Sequence, residues 1–184
     1  MKRLILTEPP PLSFFTNDEL ATADAFKLAR RRDEWLLSRA AAKQLALNEG
    51  FADDPRRITV ERPLLLIDGT SSGWYVSLSH SFPYAGAAIE RHPVGFDVQV
   101  VREIAEWSSH LFLTDTETEQ MRGCAIPHRI LHFWCAKEAA FKRDAVTPTM
   151  KQTPIRLVEE RADGLTFDVV ETVAMGEVLV AGTI

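Results

Sequence analysis

Three short stretches of this chain place polar side chains where they could do chemistry together. In Val94-Gly95-Phe96-Asp97-Val98-Gln99-Val100 the apolar and polar residues alternate, as in a strand whose successive side chains point to opposite faces. Val94, Phe96, Val98 and Val100 are expected on the core face, leaving Gly95, Asp97 and Gln99 on the other. A carboxylate and an amide beside a glycine are oxygen donors with open space next to them. Such a set suits Mg²⁺, which is held by one or two carboxylates plus substrate phosphates. The alternative is an ordinary solvated strand face. The second stretch, Trp134-Cys135-Ala136-Lys137-Glu138-Ala139-Ala140-Phe141-Lys142, is rich in helix formers. Helical spacing puts Trp134, Glu138 and Lys142 in one column, and Glu138 with Lys142 alone would be a surface pair contributing about 0.2–0.5 kcal/mol. The third is Ser77-Leu78-Ser79-His80-Ser81, where hydroxyls and an imidazole crowd a strand end. They could form a polar pocket wall that binds phosphate oxygens, or His80 could be a structural histidine.

Several familiar motifs are absent. The chain has no Gly-x-x-x-x-Gly-Lys-[Ser/Thr], Gly-x-Gly-x-x-Gly, His-Glu-x-x-His or Cys-x-x-Cys, and no Gly-x-Ser-x-Gly around any of the three serines of the third stretch. A formal net charge of -5 over 184 residues argues against a general nucleic-acid binder, though not against a local basic pocket. Two cysteines make no disulfide framework, so a reduced, cytoplasmic compartment is expected. The N-terminal apolar run is too short for a signal peptide, and nothing approaches a membrane span.

The elements that must position these residues follow from periodicity and punctuation. Lys2 to Leu6 reads as a strand before a Pro-rich turn. Thr16 or Asn17 caps a helix toward Leu28, and a second helix is expected from about Asp33 to Leu47, with Arg30-Arg31-Arg32 between them. Strands are expected at Ile58–Val60, Leu64–Ile67, Trp74–Ser79, Tyr84–Ile89 and Val94–Val101, with a loop at 68–73. Ile104 to Met121 reads as helix, broken near Leu113-Thr114-Asp115, and the Trp134 helix follows. Strands at Ile155–Val158, Leu165–Val173 and Glu177–Thr183 close the chain, with Asp163-Gly164 as a hairpin turn. The order predicts an α+β protein of two halves, 1–93 and 94–184. No strong sequence repeat is visible, so any internal symmetry would be structural.

Taken in order, Ser77-Leu78-Ser79-His80-Ser81, Gly95-Phe96-Asp97-Val98-Gln99 and Trp134 to Lys142 strongly resemble the motifs of the 4′-phosphopantetheinyl transferases. The match is to the larger, monomeric type that activates peptide, polyketide and fatty acid synthases. Glu61-Arg62-Pro63 stands where that family has Gly-Lys-Pro, and Phe112 with Glu117 fits its Phe-x-x-x-x-Glu signature. The resemblance implies two similar α+β halves related by a pseudo-two-fold, with the active site between them. It implies Mg²⁺-dependent transfer of the 4′-phosphopantetheine arm of coenzyme A to a serine of an acyl or peptidyl carrier protein, releasing adenosine 3′,5′-bisphosphate. Asp97, Gln99 and Glu138 would hold the metal. Glu138 and Lys142 would be catalytic, as general base and as a charge on the phosphates. Arg62, Ser79, His80, Asp97 and Lys142 would bind coenzyme A. Partners would include neither nucleic acid nor membrane. Gln99 replaces the family's usual acid, and basic residues expected before Phe26 are missing, with Glu19 and Thr22 in that region. The rival readings are a non-catalytic coenzyme A or carrier-protein binding module and a Mg²⁺ phosphodiesterase acting on nucleic acid.

Overall fold

In the computed structural model, which describes residues 1–144 and 146–184, the chain forms two compact units, Met1–Pro93 and Val94–Ile184. The first begins with β1 (Lys2–Leu6) and continues through α1 (Asn17–Asp24) and α2 (Ala29–Asn48). It ends with β2 (Ile58–Glu61), β3 (Leu64–Ile67), β4 (Thr70–Ser81) and β5 (Tyr84–Glu90). These strands make one antiparallel five-stranded sheet in the order β1-β5-β4-β3-β2. Helix α2 packs across β5, β1 and β4, burying Ala41, Ala42, Leu45 and Ala46 against Ile58, Leu65, Val76, Ala87 and Ile89.

The second unit repeats this plan. It starts with β6 (Phe96–Val100), passes through a 3₁₀ turn at Glu106–Leu111, α3 (Asp115–Gly123) and α4 (Arg129–Arg143), and ends with β7 (Leu157–Glu160), β8 (Gly164–Phe167), β9 (Val170–Met175) and β10 (Val178–Thr183). The sheet order, β6-β10-β9-β8-β7, is again first strand, last strand, then back along the meander. Helix α4 packs on β10, β6 and β9, the positions that α2 takes in the first unit. No helix among the described residues is long and apolar enough to cross a membrane.

The repeat extends to side chains. Thr16 opens α1 with a capping box whose N3 residue is Glu19, and Thr114 opens α3 in the same way with Glu117. In each unit that glutamate also accepts a fully buried lysine from the long helix. Lys43 lies 2.6 Å from Glu19, and Lys137 lies 2.9 and 3.0 Å from the two Glu117 oxygens. Backbone carbonyls take further lysine protons, Pro55 at 2.9 Å in one unit and Thr153 in the other at 2.5 Å. A buried ammonium is costly unless its donors are taken up in this way. The shared pattern is therefore Thr-x-x-Glu followed by one helix lysine.

Several boundaries differ from the sequence expectation for identifiable reasons. Helix α1 ends at Asp24, and α2 begins at Ala29, so Arg30-Arg31-Arg32 lie inside a helix, not between two. Arg30 and Arg31 both reach Glu34, at 3.0 and 3.4 Å, which ties the first turn of α2 together. β4 begins at Thr70, inside the expected loop. The expected strand Leu165–Val173 is two strands, because the Asp168 carboxylate accepts the Arg156 amide at 3.0 Å and turns the chain there. Gly164 is not in the turn but in β8, where an added Cβ would overlap the Thr172 carbonyl.

Candidate functional site

The site is built on the seam between β6 and α4. Gly95, just before β6, allows the close approach: a Cβ there would overlap the Ala139 carbonyl oxygen, and it would lie 2.7 Å from that carbonyl carbon and 3.0 Å from the Arg143 nitrogen. Asp97 and Gln99 share the Gly95 face, and across the ladder they oppose Ala181 and Leu179, both members of the core under α4. The helix-covered face is therefore the Asp97 face; Phe96 and Val98 are buried as expected, and the difference is that the face opposite them is covered too. Both faces of β6 are buried, Phe96 and Val98 at 0% exposure and Asp97 at 1%. Alternation separates the two faces but cannot say which one a helix covers.

Along α4, residues three and four apart share a face, so Cys135, Glu138 and Lys142 line up over Asp97. Lys142 Nζ donates to Asp97 Oδ1 at 2.7 Å and to the Phe96 carbonyl at 3.2 Å, and lies 3.6 Å from Glu138 Oε2. Gln99 Nε2 donates to Asp97 Oδ2 at 3.1 Å. Burial pushes the Cys135 thiol well above its usual pKa, and the neighbouring Asp97, which it hydrogen-bonds, adds to that. Burial also raises the Glu138 carboxyl above the usual range, with Lys142 opposing the rise and Asp97 adding to it. A carboxyl raised in this way is a better proton acceptor near neutral pH than an ordinary surface acid. Trp134 packs edge-on to Phe112 at 5.0 Å and belongs to the core that holds α4 in place.

The first unit supplies an internal comparison for this seam. Counted from the buried lysines, the α4 residues Cys135, Glu138 and Lys142 correspond to Ala41, Gln44 and Asn48 of α2. Gln44 and Asn48 form a neutral hydrogen bond at 2.9 Å. On β1, the residues that pack toward α2 include Leu4 and Leu6. The same architecture thus closes with neutral and apolar groups in one unit, whereas in the other it carries two carboxylates and an ammonium. The fold does not require the charged set.

The other expected site residues, Arg62, Ser79 and His80, lie in the first unit. Ser79 and His80 are neighbours on β4, so their side chains point to opposite faces. His80 shares the side of Val76 and Leu78, and its Nδ1 lies 3.4 Å from Glu34 Oε2. Ser79 is buried on the other side. Three consecutive polar residues therefore do not make a single pocket wall within this unit. Arg62 is exposed at the end of the β2–β3 hairpin. Near it is Arg39, a residue that the motifs did not single out. Its guanidinium stacks 3.5 Å from the Trp35 ring. Burial, reinforced by the like charge of Arg62, lowers its pKa to about 10, with Glu19 partly opposing. Two like charges drawn together, one flat on an indole, make an anion-attracting surface. The Trp35-x-x-x-Arg39 spacing on a helix was the available signal.

Among the described residues no group of three or more His, Cys, Asp or Glu side chains is placed to hold a metal ion. Asp97 and Glu138 are a pair of carboxylates, with the Gln99 amide beside them. That set is too small for an all-protein cage but fits an Mg²⁺ that completes its shell with phosphate oxygens and water. No family model matches the chain, and no curated protein matches it.

Proposed function

We propose that this protein is a 4′-phosphopantetheinyl transferase, with the fold of that family, that moves the phosphopantetheine arm of coenzyme A to a serine of an acyl or peptidyl carrier protein. The observation that carries the reading is the charged β6–α4 seam, set against its neutral counterpart on α2 in the same chain. A buried aspartate, a glutamate with a raised pKa and a lysine between them suit phosphoryl transfer, where the work is positioning and charge stabilisation. The motif resemblance narrows the phosphoryl donor to coenzyme A and the acceptor to a carrier serine.

Asp97 and Glu138 would hold Mg²⁺, with Gln99 as a neutral ligand directly or through water, and the ion would neutralise the pyrophosphate of coenzyme A. Glu138 takes the proton from the carrier serine hydroxyl as its oxygen bonds to the phosphorus that bears the pantetheine arm. The bond from that phosphorus to the bridging oxygen breaks, and the electron pair leaves with adenosine 3′,5′-bisphosphate. Lys142 stabilises charge on the phosphates and on that leaving oxygen. Arg39 and Arg62 offer guanidinium groups to the phosphates of the nucleotide portion.

The test is mass spectrometry of apo-carrier proteins incubated with coenzyme A and Mg²⁺. A gain of one phosphopantetheine arm that disappears with Glu138→Ala supports the reading. No gain on any of a broad panel of carriers refutes it. Gln99, an amide donating into Asp97, favours a second reading, a binding module without turnover. Coenzyme A binding by calorimetry with no mass gain would select it.

A further inference from the structure

The ammonium of Lys142 lies between the two carboxylates, 2.7 Å from Asp97 Oδ1 and 3.6 Å from Glu138 Oε2. Asp97 is 1% exposed, so its charge needs a counter-ion whether or not a metal is bound. We infer that Lys142 is a built-in counter-ion competing with the divalent cation for Asp97 and Glu138. The metal is admitted only when an anionic ligand draws the ammonium away. This rests on the metal-assisted reading of the seam given above and adds an order of events to it.

The physical argument is one of charge and reach. Asp97, Glu138 and Lys142 together carry one net negative charge with the ammonium in place, and a divalent ion entering there meets a like charge at contact distance. The lysine is a point charge on a flexible stem, rooted in the last turn of α4, and it can swing without disturbing the helix. Phosphate oxygens offer it an equivalent anionic partner, which would free Asp97 and Glu138 to hold the metal. Coenzyme A and the metal therefore bind with positive coupling, each raising affinity for the other by the same factor. Gln99 strengthens the effect, because a neutral amide in place of an acid leaves less negative charge to attract a cation before the phosphates arrive. The first unit has no such device, since Gln44 and Asn48 satisfy each other without charge.

The experiment titrates Mn²⁺ by paramagnetic resonance or calorimetry at pH 8, with the folded state of each variant checked by circular dichroism. The wild-type protein is expected to bind Mn²⁺ weakly alone and at least tenfold more tightly with coenzyme A present. Lys142→Met is expected to bind Mn²⁺ alone at least tenfold more tightly than wild type. Lys142→Arg, which keeps the charge, should stay weak, and Lys142→Met with Glu138→Gln should lose the gain. Folded Lys142→Met that binds Mn²⁺ no better than wild type overturns the inference, as does wild-type binding that coenzyme A leaves unchanged. Titration of Lys142→Met with Mn²⁺ alone involves no transfer. A protein that modifies no carrier yet shows this gain would lose the transferase reading and keep the counter-ion.

Discussion

Gly95→Ala is the substitution that bears most directly on how the seam is made. The added methyl would overlap the Ala139 carbonyl oxygen and lie 2.7 Å from its carbon and 3.0 Å from the Arg143 nitrogen. All of these are backbone atoms, so no side chain can rotate out of the way. Carbon contacts are optimal at about 3.5–4.0 Å, and α4 must retreat from β6 by on the order of 1–2 Å to restore them. Overpacking of this kind costs about 1–3 kcal/mol. The upper half of that range is expected here because a helix backbone must move, which lowers the melting temperature by roughly 5–10 °C in a chain of this size. The retreat carries Glu138 and Lys142 with it, away from Asp97, now 2.7 Å from Lys142 Nζ. A misplacement of about 1 Å can reduce catalysis about 100-fold. Urea denaturation and the carrier-modification assay should therefore both register the change. Gly123→Ala is the control: nothing lies within 4 Å of the added atom, and at the end of α3 it should be neutral or stabilise by up to about 1 kcal/mol. A Gly95→Ala protein within about 0.5 kcal/mol of wild type and fully active would refute the claim that this contact sets the site.

Other substitutions probe the remaining parts. In the metal-free protein the Glu138 carboxyl should titrate above its ordinary value of 4.5 when followed by NMR of the side-chain carboxyl carbon; Lys142→Met removes the opposing charge and should move that titration to higher pH, and an unmoved titration would count against the pairing. His132, 1% exposed and 2.8 Å from Thr172, has its pKa lowered from 6.5 to about 4 by burial. The unfolded chain then takes up the proton first, so stability is fully present above pH 6.5 and declines toward pH 4 by up to about 3 kcal/mol. Denaturation at pH 7.5 and 5 should show that slope, flattened in His132→Gln. Lys137→Met leaves Glu117 buried and unpaired, costing about 3–5 kcal/mol. Adding Glu117→Gln should recover part of the loss, and equal stability of single and double variants would count against the pairing. Arg39→Ala should raise the KM for coenzyme A with kcat little changed, and an unaltered KM would remove Arg39 from the anion surface.

The sequence reveals much of the chemistry and less of the frame. The alternation through Gly95, Asp97 and Gln99 and the column of Glu138 and Lys142 were legible because each depends only on local geometry, period 2 in a strand and 3.6 in a helix. Which face of β6 meets α4 was not, since Phe96 and Asp97 are buried alike and burial of both faces erases the contrast that patterning uses. Ser79 and His80 illustrate the same rule from the other side: adjacency in sequence on a strand means separation in space. The two similar halves were expected from the motif resemblance, but no sequence repeat was visible because the duplication is carried by a handful of anchors. Thr16, Glu19 and Lys43 match Thr114, Glu117 and Lys137, while the strands that flank them share only hydrophobicity. The Trp35–Arg39 spacing was legible on the helix, but nothing local shows that Arg62 lies close to Arg39.

A phosphopantetheinyl transfer centre at the β6–α4 seam must modify a carrier protein. Its most direct measurement is the mass of an apo-carrier protein, and of the released nucleotide, after incubation with coenzyme A and Mg²⁺. One phosphopantetheine arm on the carrier serine and an equal amount of adenosine 3′,5′-bisphosphate are expected. Chelation of the metal, Asp97→Ala and Glu138→Ala should each abolish both. An unmodified carrier across a broad panel, or a modification that persists at full rate in folded Glu138→Ala, would contradict it.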